Sequence, residues 1–504
     1  MHCPSVIRCV ILATAISLFV LVSLTYRLPF GGILVSSTTT ATPCHISLGW
    51  QRSSPEKLRY EDCLGTAKTP QVGDINPIGS PRHCLLAGSR LEQYHSTAYN
   101  WTEVRWGQVQ RRCATHKSRK LPSEDDPYHV WRQRTELHLE NLSEGDSNRI
   151  AVRLAWLRAL IVEVALHRNE KYQVYFLVNI KDTNIDLTDE ATYQKSLISV
   201  VPEELRDIAL LFNERTLKTW YPQTPEHDFM YQALQIFSHK FPQYDYIWQL
   251  EMDLRFTGHV HDTLQSATAF TRTQRRRNLW ERNGRFYIPH LYNNSYDEFT
   301  NAEDTELGDT GVWGPISISD FAPEGPQPPS RLKWNWGVGE EADLISFIPM
   351  IDPIGTNWIY EDGIHGFTDG TATPRRAAIV SITRSSRHLL RLVSQAQGRG
   401  QWLVSEATLE TFALLHGLKA VTVPHPIYFA DDVGALDAEI NKGPPHSKAG
   451  GEAPSMLYMK NGWLNGPWWK ASYWFTAGTA GELWEAYVGG QPLPPMLLHP
   501  VNEK

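Results

Sequence analysis

Cysteine is confined to one end of this 504-residue chain: all six lie at or before Cys113, and the remaining 391 residues contain none. No two of them form a C-x-x-C pair, which argues against a cysteine-held zinc site. Positive charge is also in deficit. Forty-eight Lys plus Arg against 55 Asp plus Glu leave a net charge of −7, so a phosphate backbone is not the main partner and no nucleic acid is expected. The chain also lacks a G-x-S-x-G elbow, a G-x-x-x-x-G-K-[ST] loop, an H-E-x-x-H pair and a G-x-G-x-x-G turn after a strand. Hydrolase, P-loop, zincin and dinucleotide-binding chemistries therefore lose their usual signatures. Long hydrophobic runs are scarce, and with 41% hydrophobic residues and a mean hydropathy of −0.36 the bulk reads as a globular protein. What the chain has in excess is tryptophan, 18 in all. Rigid aromatic faces pack cores first and stack on sugars second.

The one long apolar run, residues 9 to 26, carries no charge between Arg8 and Arg27. As a helix it would extend about 27 Å, enough to cross a bilayer. It lacks a clear small-residue cleavage site and exceeds the apolar core of a signal peptide. The expectation is an uncleaved signal anchor over 9–26, with a cytosolic leader at 1–8 and the rest of the chain facing the lumen of the endoplasmic reticulum or Golgi as a single-pass type II protein. Cleavage would make it secreted. Cys44, Cys63, Cys84 and Cys113 fit that oxidising compartment as two disulfides, with three pairings open. Sequons at Asn100, Asn141 and Asn293 would be glycosylation sites there. Residues 27–60 are rich in Ser, Thr and Pro and suit a flexible stem, and 61–130 form a turn-rich, cysteine-bearing wrap.

From 131 to 440 the pattern is that of an α/β domain. Thr135–Glu140 alternates as a strand, 149–167 has helical apolar spacing, and Tyr172–Ile180 reads as a buried strand. A helix over 228–240 precedes a strand over Tyr244–Leu250, and Ser405–His416 and Leu418–Val423 repeat the helix-then-strand order. Such alternation predicts a mostly parallel sheet of Rossmann type, flanked by helices, with ligands beyond the carboxyl ends of its strands. A Trp-rich extension over 441–504 is expected to pack on this core.

The sharpest chemical feature is Glu251-Met-Asp253 at the end of an apolar strand. Two carboxylates so placed can aim hard oxygen ligands at one Mn²⁺ or Mg²⁺ that bridges a diphosphate, although acids often follow a strand for no such reason. Arg255, and Arg275 and Arg276 within a basic run, are the candidate diphosphate contacts; a basic run is also an ordinary solvated surface. Glu406, opening the late helix, can act as a general base, and an acid there also favours the helix dipole. His425 after a strand can be a third metal ligand or a packed loop residue. Glu340, Glu341 and Asp343 can bind hydroxyls or cap a helix. Trp334, Trp336, Trp358, Trp463, Trp468 and Trp469 are candidate sugar platforms or packing residues.

Several phrases together carry a resemblance: Trp101–Cys113, Asp245–His259, Leu279–Pro289, Gly339–Ile345, Thr373–Val380 and His416–Phe429. In this order, over roughly residues 95–490, they are similar to a fungal domain-of-unknown-function family of type II membrane proteins that resembles GT-A glycosyltransferases. The resemblance implies a GT-A-like fold, with Glu251 and Asp253 in the metal motif, Glu406 as a base-supplying acid and His425 as a C-terminal metal histidine. One departure bears on donor binding: Leu137–Glu140 and the short loop Ser143–Asn148 stand where the family has a more apolar strand and a longer loop. The expected activity is metal-dependent transfer of a sugar from a nucleotide-sugar donor to a hydroxyl acceptor, a glycan, glycoprotein or secreted metabolite. A non-catalytic carbohydrate-binding protein and a metal-dependent phosphotransferase or hydrolase are the alternatives.

Overall fold

The computed structural model describes residues 18–24, 60–62, 83–95, 100–115, 144–166, 172–223, 231–329, 334–356, 358–379, 382–429, 441, 470–474 and 479–501. Its centre is a seven-stranded sheet. In chain order the strands are β1 (Leu18–Leu24), β2 (Tyr172–Asn179), β3 (Ala209–Phe212), β4 (Tyr246–Glu251), β6 (Leu344–Ser346), β7 (Ile382–Ser386) and β8 (Ala420–Thr422). A separate two-stranded ribbon joins β5 (Arg255–Phe256) to β9 (Leu497–Leu498). Across the main sheet the order is β8-β6-β7-β4-β1-β2-β3.

The sheet is mixed, which corrects the mostly parallel expectation. Only β8 with β6 and β2 with β3 pair in parallel, whereas β7 and β1 run antiparallel to both of their neighbours. The other five strands nevertheless share one direction, so the α/β alternation was legible. Two interposed antiparallel strands break up their direct pairing.

One of those strands comes from the expected membrane helix. Leu18–Leu24 lies between β2 and β4, with Val20 opposite Phe176 on one side and Leu250 on the other. An apolar run rich in Leu and Val reads equally as a strand buried on both faces, and the sheet takes seven residues of it. Among the described residues no helix is long and apolar enough to cross a membrane. The remainder of 9–26, residues 27–59 of the expected 27–60 stem and the strand expected over Thr135–Glu140 lie outside the described residues.

The helices around the site include the three expected over 149–167, 228–240 and 405–416. In chain order they are α1 (Ala87–His95), α2 (Glu144–Ala165), α3 (Gln232–Lys240), α4 (Val260–Thr273), α5 (Arg387–Gly398), α6 (Ser405–His416) and α7 (Thr479–Val488). Helix α6 occupies the residues its pattern predicts, closed by Gly417 in a left-handed conformation (φ 68°). That conformation favours glycine, and a β-carbon there would come within 2.5 Å of Pro315. Strand β4 is anchored by Ile247, Trp248 and Leu250, each at most 1% exposed. Next to Trp248, the buried Arg384 places its guanidinium 4.3 Å from the Tyr246 ring centre and bonds Glu341 and the Ala342 carbonyl at 2.8 Å. Anchored this way, β4 delivers Glu251 at its carboxyl end, where β5 and β9 meet.

Candidate metal centre

Glu251 ends β4, and a two-residue turn brings Asp253 to the same side. What completes the group comes from the far end of the chain. Pairing of β5 with β9 sets Leu498 opposite Arg255, and the Val501 N–H donates to the Asp253 carbonyl at 2.8 Å. His499 is thereby held over the two acids, its Nε2 3.0 Å from Glu251 Oε2 and 3.3 Å from Asp253 Oδ1. Ligand atoms of Glu251, Asp253 and His499 all lie within 4.8 Å of one another.

The imidazole is oriented from behind. Nδ1 lies 2.6 Å from the Trp474 carbonyl oxygen, which can only accept, so Nδ1 carries a hydrogen and Nε2 faces the carboxylates. Burial alone would lower the His499 pKa, but its bonds to Asp253 and Glu251 and their charges raise it to about 10. Burial raises Glu251, against the opposing pull of His499. Burial would raise Asp253 too, yet the bond and charge of His499, helped by Arg255, hold it below the ordinary range. Without a metal the group is an imidazolium clamped between two acids. With that proton removed it offers one imidazole nitrogen and two carboxylate oxygens on one side of a cation, a donor set that fits Mn²⁺ better than Mg²⁺.

Two further acids share Tyr231 with Glu251. Tyr231 is 2% exposed, its hydroxyl has no hydrogen-bond partner, and it feels the charges of Glu410, Glu406 and Glu251. Glu410 is fully buried and neither of its oxygens is bonded by another residue. Burial first, then the neighbouring Glu406, pushes its pKa well above the ordinary value. Helix α6 explains the pairing, since Glu406 and Glu410 are one turn apart on the same face. Glu406 and Glu251 thus both act on Tyr231.

The other expected ligands are placed differently. His425 stands apart from the three clustered ligands, set edge-on to Tyr473 (4.6 Å) and Phe347 (5.7 Å), and burial lowers its pKa to about 3. It is a packed neutral ring one aromatic side chain away from the centre, because Tyr473 stands between it and His499, 6.1 Å from the His499 ring.

Arg255, expected at a donor diphosphate, is 3% exposed. Its guanidinium lies 5.6 Å from the rings of both Trp156 and Trp484 and donates to the Met252 and Leu254 carbonyls. It acts on the site through Asp253.

Nor is the basic run a solvated phosphate surface. Arg275 pairs with Asp304, Arg276 with Glu340 (2.7 Å) and Arg277 with Asp309 (2.9 Å). Trp334 lies over Arg275 and Arg277, and Trp336 over Arg276, at 4.2 to 5.2 Å. Interleaved Trp and acids from a distant segment neutralise what looked like free charge. The acidic cluster is spent similarly: Glu341 bonds Arg272 and Arg384, and Asp343 bonds the Ser386 hydroxyl.

Trp358 is buried, whereas Trp334 is 53% exposed; Trp463, Trp468 and Trp469 lie outside the described residues, as does Asn141. Asn100 and Asn293 are exposed, and Cys84 is disulfide-bonded.

Sequence reasoning missed His499, Tyr231 and Glu410. The signal for His499 was weak, a lone His-Pro pair near the end of the chain after a short apolar Met496-Leu-Leu run. Glu410 was visible as the acid one turn beyond Glu406.

The fold and site thus define a mixed α/β protein with a two-carboxylate, one-histidine centre at a strand end. The chain belongs to the family described as "protein of unknown function (DUF3405)", which matches residues 83–503. No curated protein and no solved structure matches it.

Proposed function

We propose that the protein is a metal-dependent glycosyltransferase of GT-A type that moves a sugar from a nucleotide diphosphate donor to a hydroxyl acceptor. The observation that carries this reading is the convergence of Glu251, Asp253 and His499, with the His499 tautomer fixed by the Trp474 carbonyl. A divalent cation held there would neutralise the charge that develops on a departing diphosphate. The run of arginines is already paired, so the donor's charge falls mainly to this centre. Glu406 is the group in this neighbourhood that accepts the proton of the attacking hydroxyl. Glu410, neutral beneath it, keeps a second negative charge out of the pair.

The same reading places the active domain in the secretory lumen, supported by the bonded Cys84 and the exposed Asn100 and Asn293. Anchoring through 9–26 would require Leu18–Leu24 to leave the sheet, because a strand paired on both edges cannot also be a membrane helix.

The test is nucleotide diphosphate release by the full chain, made in a secretory host, from a panel of nucleotide sugars with Mn²⁺, Mg²⁺ or chelator. Asp253→Asn is the control. Release from one donor that needs metal and is lost in the variant is the expected result. Phosphate or a free phosphorylated sugar as product would indicate the phosphotransferase or hydrolase alternative, and no release with no metal-dependent donor binding would leave a non-catalytic protein.

A further inference from the structure

Eight residues beyond Glu251 a second group of ligands gathers where β5 leads into α4. His259 is the residue before the first turn of α4, a position whose side chain ordinarily caps the helix, yet it makes no capping bond. Its Nδ1 instead lies 3.7 Å from Asp262 Oδ1, and the Nδ1 of His261 lies 3.2 Å from that same oxygen. All three ligand atoms fall within 4.8 Å of one another. The two rings stand 6.2 Å apart at 76°, so two imidazoles approach one carboxylate oxygen from different directions.

The surroundings match a metal site more closely than a helix cap. Both imidazoles are under 10% exposed while the Asp262 side chain is 60% exposed, so the group is walled on the protein side and open toward solvent. Tyr172 packs edge-on against His261 at 6.2 Å and fixes that ring. Behind His259 lies the buried Glu163, which is close enough for the two to interact electrostatically. Glu163 is itself oriented by Arg90 at 2.6 Å and by the Val260 N–H at 2.8 Å.

We propose that His259, His261 and Asp262 form a second metal site, one that takes a borderline-soft divalent ion, Zn²⁺ foremost. Two nitrogens and one oxygen with an open face suit Zn²⁺ and Co²⁺, whereas the two oxygens and one nitrogen of the first centre suit Mn²⁺. The site does not depend on glycosyl transfer, and the two centres differ in the ions they prefer.

The experiment uses the full chain stripped with chelator, titrated with Zn²⁺ alone and with Co²⁺ alone, following heat and the visible Co²⁺ absorption. Asp262→Ala tests the site at an exposed position, and His261→Gln tests it at a packed one; Asp253→Asn reports on the first centre. Melting in chelator checks that each variant is folded. The expected result is loss of one Zn²⁺ equivalent, or at least a tenfold weaker one, in Asp262→Ala, with the Co²⁺ band changed and melting unaltered. If that equivalent persists in Asp253→Asn, the two sites are separate. A Zn²⁺ titration and Co²⁺ spectrum unchanged in Asp262→Ala would overturn the proposal. So would a single equivalent in the parent chain that only Asp253→Asn removes. Loss in Asp262→Ala together with no metal binding that responds to Asp253→Asn would uphold this site and refute the first centre.

Discussion

Replacing His499 with Gln removes the cation from between Glu251 and Asp253 while leaving a hydrogen-bonding side chain in place. The shift of His499 from 6.5 to about 10 corresponds to a ceiling of about 5 kcal/mol of stabilisation, at about 1.36 kcal/mol per unit. Asp253 is 36% exposed and Glu251 27%, so solvent screening reduces this to about 2–3 kcal/mol. With an unfolding entropy of roughly 2 cal/mol/K per residue over 504 residues, the melting temperature should fall by about 2–3 °C. Because the folded pKa is raised, the stabilisation is fully present below pH 6.5 and fades as the pH rises toward 10. The assay is thermal unfolding of both full-length proteins in chelator from pH 6 to pH 10. The gap should be widest at pH 6 and close near pH 10. Saturating Mn²⁺ should then stabilise the parent by about 2.7 kcal/mol at a hundredfold excess over its dissociation constant, and the variant by less. A variant that melts with the parent at pH 6 in chelator would refute the clamp.

Two further outcomes follow from burial and backbone geometry. Glu410→Gln should raise thermal stability at pH 7, because the folded protein holds Glu410 neutral while the unfolded chain ionises above about pH 4.5; parent stability should fall with rising pH from that point, and a variant with the same pH dependence would contradict the buried neutral acid. Gly417→Ala should destabilise by about 2 kcal/mol or more in denaturant titrations, from the left-handed backbone at φ 68° and a β-carbon 2.5 Å from Pro315. An unchanged midpoint would mean that this close approach does not exist.

Elements with a strong local pattern were legible in the sequence. Tyr172–Asn179 and Tyr246–Glu251 announced themselves as buried strands, being short apolar runs with polar residues at their ends, and Ser405–His416, twelve residues followed by a glycine, as a helix. The Glu251 and Asp253 pair was legible for the same reason, as a polar break at the end of an apolar strand. Leu18–Leu24 was not, because a uniformly apolar run has no period and only its neighbours decide between strand and membrane helix.

Composition and local pattern determined an α/β protein with two carboxylates aimed beyond a strand end. Tertiary structure alone decided which histidine meets them. His499 is 248 residues from Glu251 and reaches it through a two-residue strand pairing, whereas His425, better placed by sequence pattern, is separated from His499 by the Tyr473 ring. It also decided that the three arginines from 275 to 277 are paired, since Trp334, Glu340, Asp304 and Asp309 come from other segments. Pairings over such separations leave no period in the chain, because they are selected by the burial of the whole fold rather than by neighbouring residues.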